Sequence, residues 1–283
     1  MTQPHDPARV WLITGASSGL GRALAEAALD AGHHVVATAR DPESVVDLER
    51  RHPGHALAAR LDVTRPDDAQ AALGAATEAF GRVDVVVSNA GYGLFGALEE
   101  LDDDELRRQF ETNVFGAVNV LRAALPQLRS QGSGHIVQIS SLEGVAPILA
   151  GETAYAATKF AVEGLCEALA REVEHLGIRI TIVEPGPVRT DFAAGAVAKP
   201  SGIDDYDASV GEAMRLFEQL AGNQPNDPAR VAEAVVEAIG ADEPPLRLVL
   251  GTEALDAVRA KLDGQRDELE AWERVARSTA IAA

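Results

Sequence analysis

The run Val10-Trp11-Leu12-Ile13 leads straight into Thr14-Gly15-Ala16-Ser17-Ser18-Gly19-Leu20-Gly21-Arg22, and then into the helical pattern of Ala23 to Ala31. A short apolar run bounded by turn residues reads as a buried strand. Strand, glycine-rich turn and helix start in succession make a phosphate site. The glycines let the backbone come close, and the first N–H groups of the helix, with its dipole, favour an anion. The spacing is Gly15-x-x-x-Gly19-x-Gly21, which differs from the Gly-x-Gly-x-x-Gly of the common dinucleotide fingerprint. Taken alone, the same glycines would also serve a tight strand-to-helix connection.

The alternation continues along the chain. Strands read at Val10–Ile13, His34–Ala39, Ala56–Leu61, Val83–Ser88, His135–Ser140, Arg179–Glu184 and Arg247–Gly251, with helical stretches between them. This pattern predicts an α/β fold, a Rossmann-type doubly wound parallel sheet of about seven strands with helices on both faces. Asp102, with Glu105 three residues on, marks a helix start for the long segment to Arg129. Residues 191–227 carry small residues and prolines around one helical stretch, Val210–Leu220, and read as a substrate lid that is mobile without ligand. After Gly251 a charged helical tail runs to Arg277, within a C-terminal stretch 252–283. No repeat or long linker divides the 283 residues, so a single domain over 1–283 is expected.

Composition narrows the function by exclusion. No apolar run approaches the roughly eighteen residues of a membrane span, and no charged-then-apolar start suggests export. The single Cys166 rules out an internal disulfide and fits a reducing cytoplasm. Its place in the periodicity of Phe160, Leu165 and Leu169 makes it core filling. A net charge of −19 opposes binding to nucleic acid or to an anionic membrane. The expected partner is a small molecule in the cytoplasm, and no metal is expected.

Tyr155 and Lys159 stand four apart, on one face of a helix, and Ser141 precedes the tyrosine by fourteen residues. Free tyrosine titrates near 10, and a neighbouring ammonium would lower it toward neutral pH, as a general acid–base requires. The adjacent Ser140 is the rival for Ser141. Strand alternation puts the two on opposite faces, so only one can meet a substrate.

Together, Thr14-Gly15-x-x-x-Gly19-x-Gly21, Asn89-Ala90-Gly91, Asn113, Ser141, Tyr155-x-x-x-Lys159 and Pro185-Gly186 resemble the short-chain dehydrogenase/reductase family in order and spacing. The resemblance covers about residues 8 to 190, more loosely to about 250, and is to the one-domain branch. It implies hydride transfer between a nicotinamide and a carbonyl or alcohol. Tyr155 would exchange the proton and Ser141, the serine whose spacing fits, would hold the substrate oxygen. Lys159 would lower the phenol and bind the ribose, and Asn113 would distort its helix and hold a water. For the cofactor it implies Gly15, Ser17, Ser18, Gly19 and Leu20 in the turn, Asp62 and Val63 at the adenine, and Asn89, Ala90 and Gly91 beside the fourth strand. Tyr155, Lys159, Pro185, Gly186, Val188 and Thr190 would complete the set. Ser88 replaces the asparagine with which that fourth-strand motif usually begins.

Ala39 falls where an acidic residue would meet the 2′-hydroxyl of NAD, and Arg40 where a guanidinium would hold a 2′-phosphate. NADP(H) is therefore favoured. NAD(H) stays possible, because Ser17 and Ser18 are neutral where many NADP-dependent relatives carry a basic residue. A mostly apolar wall, including Val145 and Phe192, suits a medium-sized lipophilic substrate. Glu143 either faces solvent or recognises a polar group. The resemblance also implies a homodimer or homotetramer, packed through helices at about 103–129 and 153–175. A dinucleotide-binding regulator without catalysis is the alternative from another class, and the intact Ser141, Tyr155 and Lys159 weigh against it.

Overall fold

The computed structural model describes residues 8–199 and 201–281. Met1–Pro7, Pro200, Ala282 and Ala283, which the expected domain, lid and tail include, lie outside the described residues.

In chain order the elements are β1 (Val10–Ile13), α1 (Gly19–Asp30), β2 (His34–Ala39), α2 (Val46–Arg51), β3 (Ala56–Arg60), α3 (Pro66–Phe80), β4 (Val85–Ser88) and β5 (Leu94–Phe95). There follow α4 (Asp103–Phe110), α5 (Gly116–Gln131), β6 (Gly134–Ile139), α6 (Thr153–Val173), β7 (Ile178–Pro185), α7 (Phe192–Gly195) and β8 (Val197–Ala198). The chain closes with α8 (Glu212–Leu220), α9 (Pro228–Gly240), β9 (Arg247–Leu250) and α10 (Thr252–Arg277). Seven strands form one parallel sheet in the order β3-β2-β1-β4-β6-β7-β9, as the alternation predicted.

Side-chain alternation along the strands builds two cores. Trp11, Ile13, Val35, Ala37, Val85, Val87 and Val183 point to one face, where Leu24 and Ala28 of α1 and Val235 and Ile239 of α9 cover them. Leu12, Val36, Val86, Ile136 and Ile182 point to the other, under α3, α5 and α6. Burial on both faces is why these strands read as continuous apolar runs. Cys166 lies in the second core, and burial pushes its thiol up to about 12, so it packs and does not react. No helix among the described residues is long and apolar enough to cross a membrane.

The strand order reverses between β1 and β4, and such a switch point opens a crevice at the strands' carboxyl ends. Thr14 and Ser88 stand there, one residue past β1 and at the end of β4.

Three local features depart from the sequence reading. The single helix expected over 103–129 is two, with a wider π-helical turn at Glu111–Phe115 between α4 and α5. Its start is as expected, with Glu105 Oε2 accepting from Asp102 N at 3.4 Å. The two-residue strands β5 and β8 pair in a small second sheet, too short to carry a period. The 191–227 segment is also better anchored than its small residues suggest. Val210, Ala213 and Met214 are buried against Phe95 and Tyr155.

Candidate active site

The glycine turn has the shape its spacing requires. Gly15 and Gly19 adopt φ of 68° and 57°, a region costly to residues with a Cβ. A Cβ on Gly21 would collide with the Gly15 carbonyl and the Asn89 amide, so the helix could not come this close to the turn. Ser17 and Ser18 are exposed, and Ser18 precedes α1 without capping it through its side chain. Leu20 is half-buried against the first core. Thr190 stands across from Gly19, 3.5 Å from where a Cβ would be. An open backbone cradle at a helix start fits a pyrophosphate.

Asn89 fixes this cradle to β4. Its Nδ2 donates to Thr14 O at 2.8 Å, while Thr14 Oγ1 accepts from Asn89 N at 2.9 Å and Ala90 N at 3.0 Å. Gly91 leaves room for Asn113, whose Oδ1 would lie 3.0 Å from a Cβ there. Asn113 Oδ1 accepts from Tyr92 N at 3.0 Å, and its Nδ2 donates to Tyr92 O at 2.9 Å and to Thr158 Oγ1 at 3.1 Å. The asparagine thus ties the loop after β4 to α6 and sits inside the π-helical turn. Its helix is distorted, as expected, and Thr158 is a partner the sequence did not single out.

At the ends of β2 and β3, Ala39 is buried and Arg40 exposed. Register pairs Ala39 with Arg60, so a second guanidinium comes alongside. Arg60 Nη1 donates to Arg40 O at 3.1 Å. Sequence reading passed over Arg60, because only strand pairing brings it to the corner. Asp62 accepts from Thr64 N at 3.0 Å and Thr64 Oγ1 at 2.7 Å. Burial raises its carboxyl, but Thr64 and the charges of Arg40 and Arg60 bring it below its ordinary value. Val63 is buried and packs into the space left by Gly116.

Pro185 and Gly186 are buried at the end of β7, with Gly186 N donating to Leu250 O at 2.8 Å. Val188 bridges to Asn226, and Thr190 Oγ1 accepts from Phe192 N at 3.3 Å. The chain therefore runs from β7 past the cradle into the 191–227 segment.

Ser141, Tyr155 and Lys159 come together, each only 7% exposed. Past the end of β6 the two serines part: Ser140 lies against Glu163, and Ser141 lies with the tyrosine. The Ser141 hydroxyl donates to Glu143 Oε2 in a short contact, so Glu143 is turned onto the site and not out to solvent. Lys159 Nζ donates to Ile139 O at 3.0 Å and lies 5.5 Å from the centre of the Tyr155 ring.

The electrostatics correct one expectation. Burial, then the Glu143 and Glu152 carboxylates, push the Tyr155 phenol well above its ordinary value, with the Ser141 hydroxyl acting in the opposite sense. The phenol is thus not lowered toward neutral pH here. The Lys159 ammonium itself is pushed down to about 8 by burial, against the pull of Glu143 and Glu163. Glu143 is raised by burial, and Glu152 to about 8 by burial and the Glu143 charge. Two carboxyl groups that resist ionisation flank the phenol. Glu152 was not foreseen, because only the turn into α6 brings it beside Glu143.

Aromatic rings from the 191–227 segment and from β5 lie over this group. Phe192 lies 5.6 Å and Phe95 5.5 Å from the Tyr155 ring, and Phe217 lies 4.8 Å from Phe95. Val145 packs in a different cluster, with Leu142, Ala254 and Val258.

Residues 9–201 match the model of the short chain dehydrogenase family. The chain belongs to that family. Among curated relatives of this short-chain dehydrogenase, oxidoreductase BOA17 of Botryotinia fuckeliana is 42% identical over 88% of this chain and 90% of its own length. The 17-beta-hydroxysteroid dehydrogenase type 1 of Homo sapiens is 35% identical over 90% and 81%. Among solved structures, a short-chain dehydrogenase from Streptomyces avermitilis has a TM-score of 0.88 at 45% identity, covering 97% of this chain and 100% of its own. A short chain dehydrogenase/reductase from Burkholderia phymatum in complex with NAD has a TM-score of 0.81 at 27% identity, over 95% and 97%. An alcohol dehydrogenase from Thermococcus sibiricus complexed with 5-hydroxy-NADP has a TM-score of 0.69 at 28% identity, over 86% and 96%. The short-chain dehydrogenase is an oxidoreductase of a family whose members bind nicotinamide dinucleotides.

Proposed function

We propose that this short-chain dehydrogenase is an NADP(H)-dependent alcohol dehydrogenase or carbonyl reductase of a medium-sized, mostly apolar small molecule, with Tyr155 as the acid–base. The observation that carries this reading is the convergence of Ser141, Tyr155 and Lys159 under an apolar lid, beside a glycine cradle at the sheet's switch point. When bound, the nicotinamide supplies the hydride. The chain's own residues supply the rest. Tyr155 exchanges one proton with the substrate oxygen at its hydroxyl. Ser141 turns its hydrogen from Glu143 to that oxygen and holds it as charge develops. Lys159, kept in place by the Ile139 carbonyl, holds the ribose hydroxyls. Phe192, Phe95 and Met214 line an apolar, water-excluding space. Asn113 positions α6 through Thr158.

The dinucleotide is held by Gly15, Gly19, Asn89 and Thr190 around its phosphates, and by Arg40 with Arg60 at a 2′-phosphate. No carboxylate stands at Ala39 itself to repel that phosphate, although Asp41 follows closely. Names among the relatives support a lipophilic alcohol or ketone, since one is a hydroxysteroid dehydrogenase.

Tyr155→Phe keeps the ring and removes the exchangeable proton. Turnover on a panel of ketones and alcohols is expected to fall by about two to four orders of magnitude, while NADPH binding, followed by fluorescence, stays near the wild type. Turnover close to wild type would overturn the mechanism.

A further inference from the structure

Helix α10 starts on the body of the protein and ends in solvent. Ala254 and Val258 are buried against Leu142 and Ala146, yet every described residue from Arg259 onward is exposed. The exposed part is not polar all round. Leu262 is 56% exposed, Leu269 74% and Trp272 65%. These residues continue a strict spacing of three and four, apolar at every position but Gln265: Leu255, Val258, Leu262, Gln265, Leu269, Trp272, Ala276. Apolar residues recurring every 3.5 positions form the seam of a coiled coil. In proteins most helical stability comes from packing an apolar face and not from propensity, so the seam calls for a partner.

The flanking charges identify one. With Leu262, Leu269 and Ala276 at the first seam position of each heptad, Arg259, Arg266 and Glu273 follow the second position, and Lys261 and Glu268 precede the first. In a parallel pair of identical helices, Lys261 would face Arg266 and Glu268 would face Glu273. Both contacts are between like charges, which is destabilising. In an antiparallel pair with Leu269 set against Trp272 of the second copy, Arg266 faces Glu273 of that copy, and two-fold symmetry makes the contact twice. Glu268 then faces the apolar Val275. The two most exposed large apolar side chains of α10 become the centre of the contact, and no like charges meet. The surface is self-complementary, as an isologous interface must be.

We propose that the distal half of α10 pairs antiparallel with the same helix of a second copy of this chain. This contact is separate from the α5 and α6 faces through which the family resemblance implies a dimer, so it joins two such units, or two single chains, into one particle.

The test is the mass of the full-length protein at micromolar concentration, by light scattering and sedimentation. L269E/W272E is expected to halve the particle mass. Each substituted side chain is exposed, so activity and Tm should stay at wild-type values. R266E alone and E273R alone are expected to halve it as well, and R266E/E273R to restore it. Equal masses for wild type and L269E/W272E would overturn the proposal. So would single charge reversals without effect, or failure of the double reversal to restore the mass. Wild-type protein that stays unpaired and instead sediments with anionic phosphatidylserine vesicles would assign the seam to a membrane and overturn it equally.

Discussion

At the scale of single residues, the unusual feature is the company Tyr155 keeps. A phenol held above its ordinary range by burial and by the Glu143 carboxylate holds its proton tightly and is a reluctant phenolate. Glu143→Gln removes a negative charge that opposes phenolate formation, so the phenol should titrate lower. The limb of alcohol oxidation that rises with pH is then expected to move to lower pH in the variant, read from kcat/KM profiles. An unmoved limb would show that the Glu143 charge is not felt at the phenol. Arg40 carries a different prediction. A charge-assisted contact to a phosphate is worth about 1.5–3 kcal/mol, so Arg40→Ala should weaken NADPH by roughly ten- to a hundredfold and NADH little. Equal loss for both dinucleotides, measured by titration, would remove Arg40 from the 2′-phosphate. Tyr155, Ser141 and Arg40 could be singled out in the sequence because they fall at positions of the motifs that resemble the family's. Glu152 and Arg60 could not, because each reaches its place through a turn or a strand pairing.

At the scale of elements, one charge network holds the far edge of the sheet. Arg247 on β9 donates to Glu184 on β7 at 2.7 Å, to Glu167 on α6 at 3.0 Å, and to Glu163 on α6 in a short contact. Glu163 and Glu184 are buried, and burial raises both carboxyls, Glu163 to about 6. Arg247→Ala would strand two buried carboxyls. Breaking a buried pair typically costs about 3–5 kcal/mol, and because the guanidinium is partly exposed the low end applies, ~3 kcal/mol. Urea unfolding at pH 7 should show this as a lowered midpoint. The sign with pH also follows. The unfolded glutamates ionise near 4.3, while Glu163 in the fold holds its proton to about 6. As pH falls through that window the variant should recover stability, because the stranded carboxyls become neutral. A variant whose deficit does not shrink at pH 4.5 would show that the loss is packing and not charge. The segments that sequence reading placed less well are those whose geometry depends on other elements. The π-helical turn exists because Asn113 bonds to Tyr92 and Thr158, and β5 exists only because β8 pairs with it.

For the whole molecule, Phe115 and Phe160 remain 52% and 47% exposed on the outer faces of the α4–α5 and α6 helices. Large aromatics exposed on neighbouring helices suit an isologous contact. A homodimer at micromolar concentration is therefore expected before any contact through α10. With the α10 seam disabled by L269E/W272E, a particle of one chain in light scattering would count against that face.

The sequence by itself determined the seven parallel strands, the glycine turn and the spacing of Ser141, Tyr155 and Lys159. All of these rest on local periodicity, or on motifs whose residues lie within a few turns of one another. Tertiary structure alone decided which residues surround the phenol. Packing brought Glu143, Glu152 and the rings of Phe95 and Phe192 onto Tyr155, and burial together with the two carboxylates raised the phenol. A residue's charge state depends on how much water and which charges lie near it in space, and spacing along the chain does not fix either.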